Sequence, residues 1–371
     1  MRKKFVQLAA VFTAACMMLC ACGTNNNETS DSEQGKDTSG DTVIRMATMT
    51  TGFPLPMHHA NKTGVFDDLG LNVEEEFFDN GPTINEAIAS GDIDIAGVGG
   101  MPSVSGAISN NSKVIAWMED DESSVQIYAR NDSDIVSAGK GKNENYPNIY
   151  GTADNWKGKS VVCAMGTSSH YTLLAVLETL GLTQEDIELI NMEGVSGAAA
   201  FLAGTGDLYV GFNPQWSEFY SKPDEYTCVA TCADTDKKLN TVLIASEEFC
   251  ENHPDLLVKF LEGMLKVQND FYDDAKYYYE SMYEWQNTFG ECSEELAQYT
   301  VDLQVMRSLQ ERRALFEEKN GSSEMQDTLL SIADFMIDNN VIEEEDKQKI
   351  IEDKFVDSSY LFEAIDNLNA E

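Results

Sequence analysis

The sequence predicts an α/β fold made of two similar α/β units followed by a helical tail. Short apolar, β-rich segments alternate with capped helical segments over residues 43–245. The dipeptide Gly-Asp stands between a predicted helix and a predicted strand at two places, within 89–93 and within 204–208. After Pro254 the apolar residues recur at helical spacing. These three observations indicate two α/β lobes with a cleft between them, and then packed helices.

The first unit has the order expected of a parallel or mixed sheet. We predict strands over 43–48, 72–78 and 93–98. A short helix over 57–63 separates the first two strands. The run Thr-Ile-Asn-Glu at 83–86 matches a capping box, so it predicts the start of the helix before the third strand. Helices that connect parallel strands in this way cover the sheet.

The second unit repeats this order. We predict strands over 160–165, 188–192 and 207–212. Hydroxyl side chains at 166–169 can cap the helix that follows the first of these strands. A second helix, over 197–203, precedes the last strand. The tail then continues as helices.

The tail combines helical periodicity with many acidic residues. Pro254 suits the first turn of a helix. Further helices are predicted over 294–309, 324–339 and 344–354. Their acidic side chains are typical of solvated helix faces rather than of a recognition surface.

Acidic side chains outnumber basic ones by 64 to 25, which gives the 371-residue chain a formal net charge of −39. Most of such a surface would repel a phosphate polymer, so nucleic acid is excluded as a partner. General adsorption to an anionic membrane is disfavoured for the same reason. Hydrophobic residues make up 42% of the chain, which is too many for a disordered acidic protein and enough for a large core.

The N-terminal residues resemble a bacterial lipoprotein signal. Basic residues near the start precede an apolar stretch over 5–18 that is too short to span a bilayer comfortably. The run Leu-Cys-Ala-Cys-Gly at 19–23 resembles a lipobox, so we predict a signal peptide over 1–21 and lipidation of Cys22. Residues 22–41 lack large apolar side chains and predict a flexible tether. A plain secretory signal or a buried N-terminal helix is the alternative.

Small and polar residues follow the predicted strands, where ligands collect in sheets of this kind. The clearest loop is Gly-Thr-Ser-Ser-His at 166–170, whose amides and hydroxyls at a helix start would face an anion. A helix that is merely well capped is the structural alternative. The candidate ligand contacts in and near these loops are Thr50, Thr51, Phe53, His58, Asn80, Gly81, Gly99, Met101, Pro102, Ser103, Gly166, Thr167, Ser168, His170, Ser196, Asn213, Pro214 and Trp216.

Other chemistries have weaker support in the sequence. The loop at 166–170 lacks the Gly-Lys-Ser/Thr of a nucleotide-binding loop, and no Gly-x-Ser-x-Gly elbow supplies a nucleophile. His58, His59 and His170 could bind a transition metal, but the adjacent His58 and His59 point to different faces of a helix. We therefore expect no catalytic residue, no metal and no cofactor. Five cysteines are expected to be buried or paired, in a pattern the sequence leaves open: Cys163, Cys228, Cys232, Cys250 and Cys292.

Several of these segments resemble the solute-binding proteins of ABC importers in the nitrate, aliphatic sulfonate, taurine and thiamine-precursor superfamily. The resemblance covers about residues 43–250 and is most specific at 166–171, which is similar to the sulfonate- and taurine-binding branch. Phe212-Asn213-Pro214 stands where that family usually has Trp-x-Pro. The other matching segments are Gly64-Val65-Phe66 with Gly70-Leu71-Asn72-Val73, Ser90-Gly91-Asp92-Ile93-Asp94, Gly99-Gly100-Met101-Pro102-Ser103 and Asp154-Asn155-Trp156-Lys157-Gly158-Lys159.

The resemblance implies a type II periplasmic-binding-protein fold: two α/β lobes, a two-strand hinge and a helical C-terminal tail. Strands near 125–130 and 241–245 would cross between the lobes, and closure around the ligand would be the signal that the permease reads. The resemblance implies five segments with these boundaries: a signal peptide at 1–21, a tether at 22–41, lobe 1 at 42–130, lobe 2 at 131–240, and a return strand with a helical tail at 241–371. The last segment would pack mainly on lobe 1.

The resemblance also implies a function. The chain would be a monomeric, extracytoplasmic binding protein, lipid-anchored to the outer face of the cell membrane. It would deliver a small anionic or zwitterionic solute, such as an aliphatic sulfonate or taurine, to ABC permease and ATPase subunits. Hydroxyls and helix starts would hold the oxyanion without a full counter-charge. The ammonium of taurine would need a carboxylate, for which Glu119 or Asp120 is the candidate.

Three alternatives remain open at this point. A thiamine pyrimidine precursor could be the ligand, because aromatic side chains near the loops could stack on it. An enzyme of pyrimidine synthesis could use the same scaffold, although the export signal argues against that cytosolic role. A metal chaperone is the third. The aromatic candidates are Phe53, His58, Trp117, Phe212 and Trp216.

Overall fold

The computed structural model of the protein describes residues 42–304 and 306–370. The predicted signal peptide at 1–21, the tether at 22–41 and the lipidation site Cys22 lie outside the described residues, so these features stay predictions. Within the described residues, no helix is both long enough and apolar enough to cross a bilayer. The five cysteines after the signal are all free thiols.

The described strands form two five-stranded sheets, in the orders β2-β1-β3-β10-β4 and β7-β6-β8-β5-β9. In each sheet one strand is antiparallel to both of its neighbours, one of which is the edge strand. This strand is β10 in the first sheet, beside the edge strand β4, and β5 in the second sheet, beside the edge strand β9. The strands are β1 Val43–Met49, β2 Asn72–Phe78, β3 Ile95–Gly99, β4 Lys113–Asp120, β5 Gln126–Arg130, β6 Ser160–Cys163, β7 Glu188–Asn191, β8 Leu208–Gly211, β9 Tyr226–Thr231 and β10 Asn240–Ala245.

Helices cover both sheets and form the tail, as the order of elements in the sequence predicts. Two short 3₁₀ helices, Gln184–Asp186 and Cys232–Asp234, add to them. The α-helices are α1 Leu55–Lys62, α2 Val65–Asp68, α3 Gly81–Ser90, α4 Gly100–Asn110, α5 Asp134–Ala138, α6 Ala153–Trp156, α7 Ser168–Thr179, α8 Gly194–Leu202, α9 Ser217–Tyr220, α10 Glu247–Asn252, α11 Pro254–Asp273, α12 Ala275–Phe289, α13 Glu294–Leu303, α14 Leu309–Phe316, α15 Glu324–Asp338, α16 Glu344–Glu352 and α17 Ser359–Ala370.

The chain changes sheets earlier than we predicted. Lobe 1 was expected to extend to residue 130, but β5 pairs with β8 and β9 of the second sheet. The two connections between the sheets therefore lie at 121–125 and 232–239, beside the strands we named as the hinge. Two backbone hydrogen bonds join these connections: Asp121 N donates to Leu239 O at 2.8 Å, and Ala233 N donates to Glu122 O at 3.0 Å.

The helix before β3 begins earlier than its predicted capping box. Asn80 is the N-cap of α3, and its Oδ1 accepts from the backbone N of Thr83 at 2.9 Å. A side-chain oxygen in this position pairs one of the free amides of the first turn. The N-terminus of α3 therefore lies directly after β2, at the edge of the sheet where ligands collect.

The predicted helix over 294–309 is two helices. Helix α13 ends at Leu303, and Ser308 begins α14 with a capping box in which Glu311 takes part. Most of the tail packs on the first lobe, with α11 against α1 and α15 against α4. Helix α13 is the exception, because Leu296 and Ala297 are buried in an apolar cluster of the second lobe.

Candidate functional site

A cavity lies between the two sheets, where their parallel strands end. It has two adjoining parts of about 20 Å³ and about 10 Å³, each with room for about one water molecule. We name the first the helix end and the second the acidic end; Thr51, Phe53, Asp121 and Phe212 line both. The helix end is also lined by Met49, Asn80, Gly81, Gly99, Pro102, Thr167, Ser168 and Thr241. The acidic end is also lined by Gly52, Glu119, Ser124, Asn213, Trp216, Thr300, Leu303 and Gln304.

Three helices begin at the helix end of the cavity. Asn80, Gly99 and Thr167 are the N-cap residues of α3, α4 and α7. The first amides of a helix lack partners within the helix and carry the positive end of its dipole. Three such starts around one space therefore favour the anionic group of a ligand.

The two lobes touch at this end. The amide Nδ2 of Asn80 in the first lobe donates to the carboxylate Oε2 of Glu193 in the second at 2.5 Å. A Cβ built on Gly99 would lie only 2.1 Å from Ser168 Oγ. Glycine at this position therefore permits the close approach of the second lobe, and the cavity is closed here.

Two carboxyl groups dominate the acidic end. Glu119 and Asp121 are each only 1% exposed. Burial raises the pKa of both groups well above the ordinary range, and the charge of Asp121 raises that of Glu119 further. The amide Nε2 of Gln304 donates to Glu119 Oε1 at 3.1 Å. Among the described residues that line the cavity there is no Lys, Arg or His, so neither acid meets a cation of the protein there.

Seven buried polar side-chain atoms of the cavity lining have no hydrogen-bond partner among the described residues. Buried polar atoms are normally paired, so a concentration of unpaired ones indicates a place for a polar ligand. Hydroxyls prevail at the helix end and acceptor oxygens at the acidic end. The atoms are Thr51 Oγ1, Ser168 Oγ and Thr241 Oγ1, and Glu119 Oε2, Asp121 Oδ2, Ser124 Oγ and Asn213 Oδ1.

The structure brings most of the predicted contacts to this one cavity. Their role in binding stays a prediction, because lining a cavity is a geometric observation. The predicted residues that line it are Thr51, Phe53, Asn80, Gly81, Gly99, Pro102, Glu119, Thr167, Ser168, Asn213 and Trp216. The predicted residues that do not line it are Thr50, His58, Met101, Ser103, Gly166, His170, Ser196 and Pro214.

Both predicted histidine contacts are held elsewhere. His58 Nδ1 lies 2.9 Å from Glu75 Oε2, and the His58 ring packs on Trp285 with centroids 4.4 Å apart. His170 Nε2 lies 2.6 Å from Gln184 Oε1, and burial lowers the pKa of its imidazole. These partners fix the two rings in the body of their lobes and keep them from the cavity.

The other displaced candidates have local roles. Ser103 Oγ donates to Gly100 O at 2.7 Å within α4, and Met101 is buried in the apolar core. Ser196 is exposed and donates to Glu193 O at 3.0 Å. Pro214 lines an outer groove. Position in a loop after a strand therefore does not by itself place a residue in the lining of the cavity.

Sequence reasoning missed the acid Asp121 and the tail residues of the lining. Asp121 belongs to an acidic run, 119–122, between two apolar strands, and this interruption of an apolar pattern was the available signal. Thr300, Leu303 and Gln304 lie on a helix that we read as part of a continuous tail helix. No local pattern marks them, because long-range packing alone brings them to the cavity.

The protein has two α/β lobes, each with one antiparallel strand inside its sheet, and the lobes share a cavity at the strand ends. This arrangement defines the class of type II periplasmic-binding proteins. Within that class, the chain belongs to the NMT1/THI5-like family, whose profile matches residues 55–274, more than half of the chain. The family resemblance read from the sequence is therefore confirmed.

Relatives of full or partial length agree with this assignment. A Brachyspira hyodysenteriae protein named as an ABC transporter periplasmic binding protein is 25% identical over 98% of this chain and 100% of its own length. The taurine-binding periplasmic protein of Escherichia coli is 20% identical over 62% of this chain and 66% of its own. The alkanesulfonate-binding protein SsuA of Xanthomonas axonopodis, solved with bound MOPS, has a TM-score of 0.67 at 16% identity and covers 85% of this chain and 98% of its own. The last likeness confirms the predicted fold.

Proposed function

We propose that the protein is the solute-binding component of an ABC importer and that its ligand is a small zwitterion of the taurine type. The observation that carries this proposal is the opposite polarity of the two cavity ends. The helix end presents three helix starts with the hydroxyls of Thr51, Ser168 and Thr241. The acidic end presents two buried carboxyl groups.

The unpaired atoms match the two charged groups of such a ligand. Three hydroxyls at the helix end can donate to a sulfonate, whose charge the helix dipoles also favour. At the acidic end Glu119 Oε2, Asp121 Oδ2 and Asn213 Oδ1 can accept from the three N–H donors of an ammonium group. A plain sulfonate would leave Glu119 Oε2 and Asp121 Oδ2 unpaired, which is costly for buried polar atoms.

Capture requires the lobes to move. The cavity holds only about one water molecule in each part, which is too little for a solute of taurine's size. The solute would reach the site while the lobes are apart, and the contact between Asn80 and Glu193 would form again on closure. The connections at 121–125 and 232–239 are the proposed hinge, because in the described part of the chain these two segments carry the backbone from one sheet to the other.

The proposed place of action is the outer face of the cell membrane, with a lipid on Cys22 and a tether over 22–41. The lipobox-like run supports the anchor, and the names of the relatives support an extracytoplasmic role with permease and ATPase partners. We propose that the chain acts by binding as a monomer and not by catalysis.

Calorimetric titration with three matched compounds tests the ligand class. Taurine carries both charged groups, ethanesulfonate lacks the ammonium and ethylammonium lacks the sulfonate. We expect taurine to bind at least tenfold more tightly than either analogue, because each charged end adds hydrogen bonds worth about 1.5–3 kcal/mol. Equal affinity for ethanesulfonate and taurine would exclude the acidic end as a ligand contact. No heat with any of the three would refute the taurine-type ligand.

A thiamine pyrimidine precursor is the second candidate, because Phe53 and Phe212 line both parts of the cavity. An aminopyrimidine between two aromatic rings could also donate its amino hydrogens to the acid pair. Titration with the hydroxymethyl aminopyrimidine of thiamine distinguishes the two candidates. Binding tighter than that of taurine would favour the heterocycle.

A further inference from the structure

We infer that tail helix α13 is the third wall of the ligand cavity and a latch that holds the two lobes closed through Thr300. This inference rests on the lobe closure of the proposed function, but it does not depend on which solute is bound. Thr300, Leu303 and Gln304 line the acidic end, so the wall comes from a segment more than 50 residues beyond the last strand.

The Thr300 hydroxyl joins the lobes directly. Its Oγ1 accepts a short hydrogen bond from Asn213 Nδ2 of the second lobe. The same oxygen accepts from Gln286 Nε2 of α12 at 2.9 Å, and it donates to Leu296 O at 3.0 Å. Helix α12 packs on α1 and α11 of the first lobe. The chain Asn213–Thr300–Gln286 therefore crosses from one lobe to the other, and Thr300 is only 1% exposed.

Aromatic packing holds α13 against the second lobe. The Tyr299 ring stacks on Tyr220 with centroids 4.6 Å apart and planes at 14°, and it meets Trp216 edge-on at 5.8 Å. Gln126 Nε2 of β5 donates to the Tyr299 hydroxyl at 2.9 Å. Together with the burial of Leu296 in the same cluster, these contacts give α13 a specific seat on this lobe.

The residues on either side of α13 are held by the first lobe. Gln304 Nε2 donates to Glu119 Oε1 at 3.1 Å, and Arg307 forms an ion pair with Asp120. Before α13, Trp285 Nε1 donates to Thr51 O at 2.7 Å. A helix seated on one lobe between two anchors on the other must lose contacts when the lobes separate. Closure is therefore coupled to the tail.

Removing the hydroxyl from Thr300 should weaken the closed form. In Thr300→Val, the buried amide of Asn213 and that of Gln286 lose their acceptor, while the side-chain shape is kept. Leaving buried donors unpaired at this site should raise the open fraction about tenfold. Thr300→Ser keeps the hydroxyl and should behave like the wild type. Thr288→Val on α12 is the matched control, because Thr288 is exposed and its hydroxyl bonds only to Glu284 O.

Hydrogen exchange of the ligand-free full chain measures the open fraction. The first amides of α3 and α7, those of Gly81 and Ser168, lack helical partners and line the cavity. Their exchange within the segments 80–84 and 166–170 therefore reports solvent access to the cavity. We expect about tenfold faster exchange there in Thr300→Val but not in Thr300→Ser or Thr288→Val, with α16 unchanged as the internal control. If these segments exchange in Thr300→Val at the wild-type rate, and α16 is also unchanged, the inference that α13 is a latch is refuted.

Thr300→Val could destabilise the whole protein, and faster exchange in α16 would reveal this. A second variant keeps the test decisive in that case. Tyr299→Phe removes only the hydroxyl that accepts from Gln126, and it should also speed exchange in the two cavity segments. No change in either segment then refutes the inference. Taurine titration of the wild type is a separate readout: failure to bind refutes the proposed ligand and leaves the exchange result on the latch intact.

Discussion

Replacement of Glu119 by glutamine tests whether the acidic end of the cavity binds a cationic nitrogen. Glu119 Oε1 already accepts from Gln304, which leaves Oε2 for the ligand. In Glu119→Gln the carbonyl can still accept from Gln304, so the new amide N–H₂ would face the ammonium. The variant thus loses one hydrogen bond to a charged group, worth about 1.5–3 kcal/mol, and taurine affinity should fall about 10- to 150-fold. Calorimetric titration measures this change.

The same substitution has an effect on stability whose sign follows from the pKa of Glu119. A carboxyl group whose pKa is higher in the folded than in the unfolded protein stabilises the folded state at pH values below its unfolded-state pKa, which is about 4. That contribution is lost as the pH rises through the folded-state value. Burial raises the pKa of Glu119 and Asp121, so the ligand-free wild type should lose stability between acidic and neutral pH. Urea unfolding should show Glu119→Gln gaining stability over the wild type from pH 5 to pH 8.

Glu122→Gln is the matched control for the taurine titration. Glu122 belongs to the same acidic run, but it pairs with Lys238 outside the cavity and does not line it. It should leave taurine affinity within a factor of two of the wild type. If Glu119→Gln binds taurine as tightly as Glu122→Gln, the reasoning that assigns the ammonium to the acid pair is wrong.

Three further substitutions address other parts of the molecule. Ser168→Ala removes a hydroxyl from the helix end and should weaken taurine about five- to tenfold in titrations, with ethylammonium unaffected; equal losses for both would contradict the assigned polarity. Asn80→Ala removes the oxygen that accepts from Thr83 N, so urea unfolding should show a loss of about 1 kcal/mol, and no loss would mean that the cap is dispensable. Cys22→Ser should shift the protein from the membrane to the soluble fraction, and an unchanged membrane fraction would refute the lipobox prediction.

The alternation of strands and helices was predictable because it depends on near neighbours in the chain. Capping residues and β-branched runs placed most elements of both lobes within a few residues. The limit between the lobes was harder to predict. The segment 125–130 is as apolar as β4, and only pairing with β8 and β9 shows that it belongs to the second sheet.

Part of the site was predictable for the same reason. Asn80, Thr167 and Ser168 begin helices directly after strands, and that local feature placed them at the helix end of the cavity. The two histidines do not line the cavity, because their partners Glu75 and Gln184 come from other elements that hold the rings away. A residue type near a loop does not reveal which neighbour satisfies it.

The sequence by itself determined the local elements, the family and the helix starts that favour an anion, since each depends on residues close together in the chain. Glu119 was already a candidate, but the tertiary structure alone placed Asp121 beside it in the cavity and decided the part that the tail plays there. Glu119 and Gln304 are 185 residues apart, and the packing of α13 between the two lobes brings them together. Packing over such separations depends on the whole folded chain, so no local pattern in the sequence encodes it.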